Sequence, residues 1–230
     1  LARPDLEFVD LDLEALAPPT RRSRLAAAVS KALHYGRRRL AGRPVPADAE
    51  LKTPATFDRL GRIARRLAAA HLDRAVVSIQ TQCLFDAKSE GVPHLIYTDH
   101  THLANLGYPA FDRRDLAPRA WLARERAAFA RADAVLVMSD HVRQSLLAQY
   151  RVSETRAHRV GVGMNTPDGP PPQRTEGRDP TALFVGVEWA RKGGPELVAA
   201  IGAVRQRFPR LRLVVVGCEP PGLPDYCQVI

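Results

Sequence analysis

Cysteine, aromatic residues and long apolar runs are all scarce in this sequence. Its 230 residues include three cysteines, Cys83, Cys218 and Cys227. The odd count and the lack of metal-type spacing offer no disulfide framework or zinc site and suit a reducing compartment, with buried, inert thiols as the default. Phe, Trp and Tyr make up 6% of the chain, and no segment carries the aromatic strand pattern of an RNA-binding sheet, a zinc-finger spacing or a helix-turn-helix cue. The longest apolar stretches, such as Leu25–Val29 and Leu213–Val216, fall far short of the ~20 residues of a membrane-spanning helix. There is no P-loop, no nucleophile elbow and no pair of acid/base carboxylates. Gly161-Val162-Gly163 is too short for a dinucleotide fingerprint, so a nicotinamide-dependent dehydrogenase is disfavoured. No signal peptide is visible, and the chain begins LARPDLEFVD without an initiator Met, which leaves a removed leader open.

What is plentiful is positive charge. The net charge is +9 and the pI about 10.1, values that attract phosphate polyanions without any specific chemistry. Only four of the 34 basic residues are lysine, so part of this charge reads as a general Arg bias. It is densest where Arg21, Arg22, Arg24, Lys31, Arg37, Arg38 and Arg39 accompany Leu25, Val29, Leu33 and Leu40, which are spaced like one helix face. Two readings of segment 21–41 stay open. It is the solvated outer face of a helix whose apolar stripe packs on its own domain, or a basic amphipathic helix resting on anionic lipid. Specific nucleic-acid binding is not expected.

Short Val/Ile/Leu-rich runs alternate with helical patterns. Strands are expected at Ala75–Ile79, Leu95–Thr98, Val135–Met138, His158–Val162, Leu183–Val187 and Leu211–Val216, and helices at Phe57–Leu72, Pro118–Arg131 and His141–Tyr150. Such alternation predicts doubly wound α/β layers with parallel strands. Residues 166–180, rich in Pro, Gly and Asp without apolar period, read as a linker. The expected domains are therefore 1–165 and 181–230, the second too short to be a whole Rossmann-like domain. The first is expected to start after an opening strand and Gly loop, so the chain is expected to be a fragment at both ends.

The run Leu183-Phe-Val-Gly186-Val-Glu-Trp-Ala-Arg191-Lys192-Gly-Gly-Pro195-Glu196 has the layout of a phosphate site. A strand ends in Gly, two cations follow, and Pro195 and Glu196 suit a helix start continued by Leu197, Ile201, Val204 and Phe208. Helix N-terminal amides, Gly-rich backbone and adjacent cations together favour a diphosphate. A second candidate site is Thr98-Asp99-His100-Thr101-His102 after the strand at 95–98, since ligands of open α/β sheets sit at the carboxyl ends of strands. Asp and Thr there equally suit a turn or a helix cap. The cluster offers no third metal ligand nearby. Ser139 and Asp140 read as helix caps.

From about Ala75 to Gly217 these motifs resemble glycosyltransferases of family 4. LFVGVEWARKGG, a helix and RLRLVVVG are similar to the donor-binding half, ADAVLVMS to the family's "ADAVIAVS" strand, and Val160-Gly-Val-Gly163-Met-Asn165 to its "V-x-N-G-V-D" segment, with Asn165 in place of the usual Asp. The resemblance implies an α/β fold of GT-B type, two Rossmann-like domains facing a cleft with the C-terminal one partly present. It implies retaining sugar transfer from a nucleotide-diphosphate sugar to a glycan, lipid-linked or small-molecule acceptor, with no metal or other cofactor. Arg191, Lys192 and Gly186 would hold the donor diphosphate, and His100 would be catalytic. Asp99, Thr101 and His102 are candidate acceptor or sugar contacts. The family's Glu-x7-Glu donor motif would lie beyond Ile230. A cytoplasmic site of action follows, with peripheral contact to an anionic membrane through segment 21–41 as the lipid reading would have it. A noncatalytic phosphate- or anionic-surface-binding α/β protein is the rival.

Overall fold

A computed structural model describes residues 5–43, 45–46, 48–109, 111–163, 169 and 179–230. The chain divides into two compact units, Leu1–Asn165 and Thr166–Ile230. Most of the linker read at 166–180, and with it Met164 and Asn165, lies outside the described residues.

The first unit opens with a short helix α1 (Leu13–Leu16), the long α2 (Arg21–Leu40) and α3 (Pro54–Ala68). Thr20 and Thr53 start the last two, each hydroxyl accepting a backbone N–H of the first turn, from Ser23 at 3.2 Å and from Thr56 at 3.3 Å. Thr53 is fully buried. A parallel sheet follows in the order β1 (Ser78–Thr81), β2 (His94–Thr98), β3 (Ala134–Val137), β4 (Ala157–Arg159). Helix α4 (Arg119–Arg131) connects β2 to β3, and α5 (Asp140–Ser145) connects β3 to β4. Helix α5 widens into a π turn, Leu146–Tyr150, which stops at the left-handed Arg151. The helical pattern predicted over 141–150 is thus two geometries in series.

Ile96, Val135 and Val137 from the strands pack with Trp121, Phe129 and Leu146 from the helices in one buried cluster. Removing such side chains from water is the main favourable term in holding the layers together. Phe57 of α3 meets Trp121 edge to face at 6.1 Å, and Arg124 bonds both oxygens of Asp58 at 2.8 and 2.7 Å, tying α4 to α3.

The second unit holds β5 (Thr181–Val185), α6 (Gly194–Arg205), β6 (Arg212–Val216) and β7 (Cys227–Val229), parallel in the order β5-β6-β7. Its small core is Phe184, Leu213 and Val215, with Trp189 against Phe184 at 4.8 Å. β7 was not expected from the sequence. All three cysteines are free, but only Cys83 is buried, which corrects the expectation of three buried thiols.

Of the two readings of segment 21–41, the one in which α2 packs through its apolar stripe is corrected. Ala27, Ser30 and Tyr35 form its buried side, whereas Leu25, Val29, Leu33 and Leu40 are exposed.

Candidate functional site

The carboxyl ends of β1, β2 and β3 in the first unit bring together residues from three connections. After β1, Gln82 takes a left-handed conformation, φ 65°, which costs a non-glycine residue on the order of 1 kcal/mol. It is held there by its own bonds. Its backbone N–H donates to Tyr97 O at 2.8 Å and its side-chain amide donates to Asp99 Oδ1 at 2.8 Å. The Thr98 hydroxyl, buried at the end of β2, donates to the carbonyl of His100 at 2.7 Å.

His100 follows, half-buried, its ring stacked near-parallel on Tyr108 with centroids 6.2 Å apart. Tyr108 also meets His141 of the first turn of α5, with the rings tilted at 39° and centroids 5.3 Å apart. Burial lowers the His100 pKa, and the charge of His141 adds to that, while a side-chain hydrogen bond donated to Asn105 and the charge of Asp99 oppose it. At neutral pH the imidazole is therefore uncharged and able both to donate and to accept a hydrogen bond.

Thr101 and His102 are placed differently. Both are buried. The Thr101 hydroxyl pairs with that of Ser145 at 2.6 Å, and His102 Nε2 accepts the Ala117 N–H at 2.7 Å. Burial pushes the His102 pKa down to about 4, so the ring is a neutral acceptor turned into the unit. Asp99 is exposed and bonded to Gln82. Of the four polar residues singled out in this stretch, Asp99 and His100 face the rim, and Thr101 and His102 anchor the loop.

That loop continues as a 3-10 helix, His102–Gly107, clamped from below by two residues the sequence reading missed. Glu125 of α4 accepts the His102 N–H at 3.0 Å and the Tyr150 hydroxyl, and Tyr150 in turn accepts the Leu103 N–H at 3.0 Å. Burial raises the Glu125 pKa to about 7 against the bonds from Tyr150 and His102. Glu125 lies between two arginines in a polar helix, where it reads as a surface residue. Only its spacing from the buried Trp121 and Phe129 hinted that it shares their face. Tyr108 and His141 gave no sequence signal.

In the second unit the loop from Gly186 to Gly193 leaves the carboxyl end of β5 and enters α6. Gly193 caps the helix at φ 77°, a left-handed conformation that favours glycine, and Pro195 sits in the first turn. The Lys192 side chain lies across Gly186. A Cβ at position 186 would stand 2.6 Å from Lys192 Cδ and 3.1 Å from Nζ, so the bare backbone there is what admits the lysine. Lys192 has no ion pair among the described residues. Arg191 is engaged by Glu188, Nε to Oε2 at 2.8 Å, and the pairing lowers the Glu188 pKa. Gly186 and Lys192 are thus brought together, and Arg191 is paired with Glu188, a carboxylate of the same run to which the sequence reading gave no role.

No curated protein sequence matched the chain. Nineteen chains of solved structures did. One of these, described as "Crystal structure of GtfA/B complex", is 13% identical with a TM-score of 0.48, and the match covers 74% of this chain and 37% of that one. The described residues contain no helix long and apolar enough to cross a membrane. The model of Glycosyltransferase Family 4 matches residues 16–168, well over half of the chain and all of the first sheet with its loops at 82, 99–108 and 141, and the chain belongs to that family.

Proposed function

We propose that the protein transfers a sugar from a nucleoside-diphosphate sugar to a glycan, lipid-linked or small-molecule acceptor with retention of anomeric configuration. The second unit would take the donor and the first the acceptor, as parts of a GT-B enzyme. The observation that carries this reading is Lys192 lying over Gly186 beside the N-terminus of the twelve-residue helix α6, a cation with no carboxylate partner among the described residues, where backbone amides already favour an anion. Lys192 would neutralise charge growing on the leaving diphosphate as the glycosidic bond breaks. Arg191 would join it by exchanging the exposed Glu188 carboxylate for phosphate. His100, neutral and backed by Tyr108, would orient a hydroxyl of sugar or acceptor. The three unpaired cysteines fit a reducing, cytoplasmic setting.

The test is turnover of a panel of nucleoside-diphosphate sugars by the full-length protein, with the anomeric configuration of the product read by proton NMR. The reading expects one donor to be consumed with retention. It also expects His100→Ala to lower kcat more than donor affinity. Hydrolysis or transfer with inversion contradicts the stereochemical part. Absence of turnover with any donor, with nucleoside diphosphate still bound, favours a noncatalytic phosphate-binding protein.

A further inference from the structure

The large apolar residues of α2 point away from the unit that the helix belongs to. Leu25, Val29, Leu33 and Leu40 are 67, 51, 75 and 90% exposed. The buried side consists of Ala27, Ser30 and Tyr35, whose hydroxyl donates to Lys52 O at 3.3 Å. At ~100° per residue the four exposed side chains fall within an arc of about 80°, with Arg21 and Arg39 on one flank and Arg37 on the other. Arg22 shares the stripe at its N-terminal end. The helix RRSRLAAAVSKALHYGRRRL contains no acidic residue. Arg38 is not part of this surface, because it turns inward to an ion pair with Asp115.

Alongside the stripe runs a groove of about 700 Å³ between α2 and α3, into which Arg22, Arg59 and Arg62 project. Its one carboxylate, Asp58, is bonded at both oxygens by Arg124. None of the three arginines has an ion-pair partner among the described residues. The surface therefore presents an apolar ridge bordered by cations that have no ion pair among the described residues.

Several occupants of such a surface are disfavoured by its own chemistry. A second copy of α2 would set basic residues against basic residues. A nucleic acid would satisfy the arginines but leave the leucines in water. An anionic bilayer offers what the ridge needs, an apolar layer directly under a sheet of phosphates. We propose that α2 lies along the surface of an anionic lipid bilayer, with Leu25, Val29, Leu33 and Leu40 in the acyl boundary and Arg21, Arg22, Arg37 and Arg39 at the phosphates. The proposal does not depend on the transfer reaction.

The experiment is vesicle flotation of the full-length protein on phosphatidylcholine alone and on phosphatidylcholine with about 30% phosphatidylglycerol. Binding is expected on the anionic vesicles only, weakening as salt rises from ~0.1 to ~0.5 M. The triple variant Leu25→Ser/Val29→Ser/Leu33→Ser should bind roughly tenfold or more weakly, since partition follows buried apolar area. Circular dichroism and melting should be unchanged, because these side chains are already in water. Arg21→Gln/Arg37→Gln/Arg39→Gln should abolish the preference for anionic vesicles.

Three results would overturn the proposal. One is no binding to anionic vesicles. Another is binding that the serine variant leaves intact. The third is a lipid-free dimer that the serine variant dissociates, or slow hydrogen exchange across α2 in the lipid-free monomer that becomes fast in that variant; these would mean that protein already covers the stripe.

Discussion

Lys192 and Gly186 form the smallest testable unit of the account. The three atoms nearest to a Cβ at position 186 all belong to the flexible lysine chain, so Gly186→Ala should leave the melting temperature near that of the parent protein while displacing the ammonium and weakening donor binding. Gly194 provides the contrast. A Cβ there would stand 2.1 Å from the Trp189 ring, which packs in the core of the second unit. Gly194→Ala should therefore cost on the order of 1–3 kcal/mol by overpacking, measurable by denaturant unfolding. Lys192→Ala should lower turnover by on the order of 10², the scale of losing one charge-stabilising donor.

Glu125 gives a pH-dependent prediction at the same scale. Its folded pKa of about 7 is raised by burial above the ordinary 4.5, so the folded state binds more protons than the unfolded state between those values. Stability from this group is present below about pH 4.5 and is lost as pH rises through about 7. His102, with a folded pKa of about 4 against 6.5, acts in the opposite sense. Its contribution is present above pH 6.5 and lost toward pH 4. The difference in unfolding free energy between the parent protein and Glu125→Gln isolates the first term. It should change by on the order of 3 kcal/mol between about pH 4.5 and 8, the parent losing ground as pH rises. A difference that stays constant with pH would show that Glu125 is ionised throughout.

At the scale of elements, α3 depends on a cap that packing does not duplicate. Thr53 Oγ1 accepts the Thr56 N–H and is fully buried. Thr53→Ala should cost about 1 kcal/mol, up to ~2, in thermal or denaturant unfolding. The strands β2, β3, β5 and β6 were legible in the sequence because Val, Ile and Leu crowd into short runs between breakers. β7 was not, since Cys227-Gln228-Val229 has no such run and becomes a strand only by pairing with β6. The exposed stripe of α2 was legible as a period but not as a direction, because a helical repeat marks one face without saying which side the domain covers. The Gly186–Lys192 loop could be read residue by residue, as its parts are contiguous. The His100–Tyr108–His141 cluster could not, since the connection after β2 and the start of α5 meet only after the sheet forms.

At the scale of the whole molecule, the two units divide the chemistry. The first carries the family match, the neutral His100 at the carboxyl edge of its sheet and the basic ridge of α2. The second carries the cation over bare backbone at the start of α6. The net charge of +9 suits anionic partners in general and selects none of them. Under the two proposals, specificity would come from Lys192 for a diphosphate, and from the joint presentation of leucine and arginine for a bilayer.

The central claim is that Lys192 grips a diphosphate. Titration calorimetry on the full-length protein, comparing matched nucleoside diphosphates and monophosphates for the parent and Lys192→Ala, tests it most directly. The account predicts tighter binding of the diphosphate by the parent and a collapse of that preference in the variant. Equal affinity for the two nucleotides, or a preference that survives removal of Lys192, would contradict it.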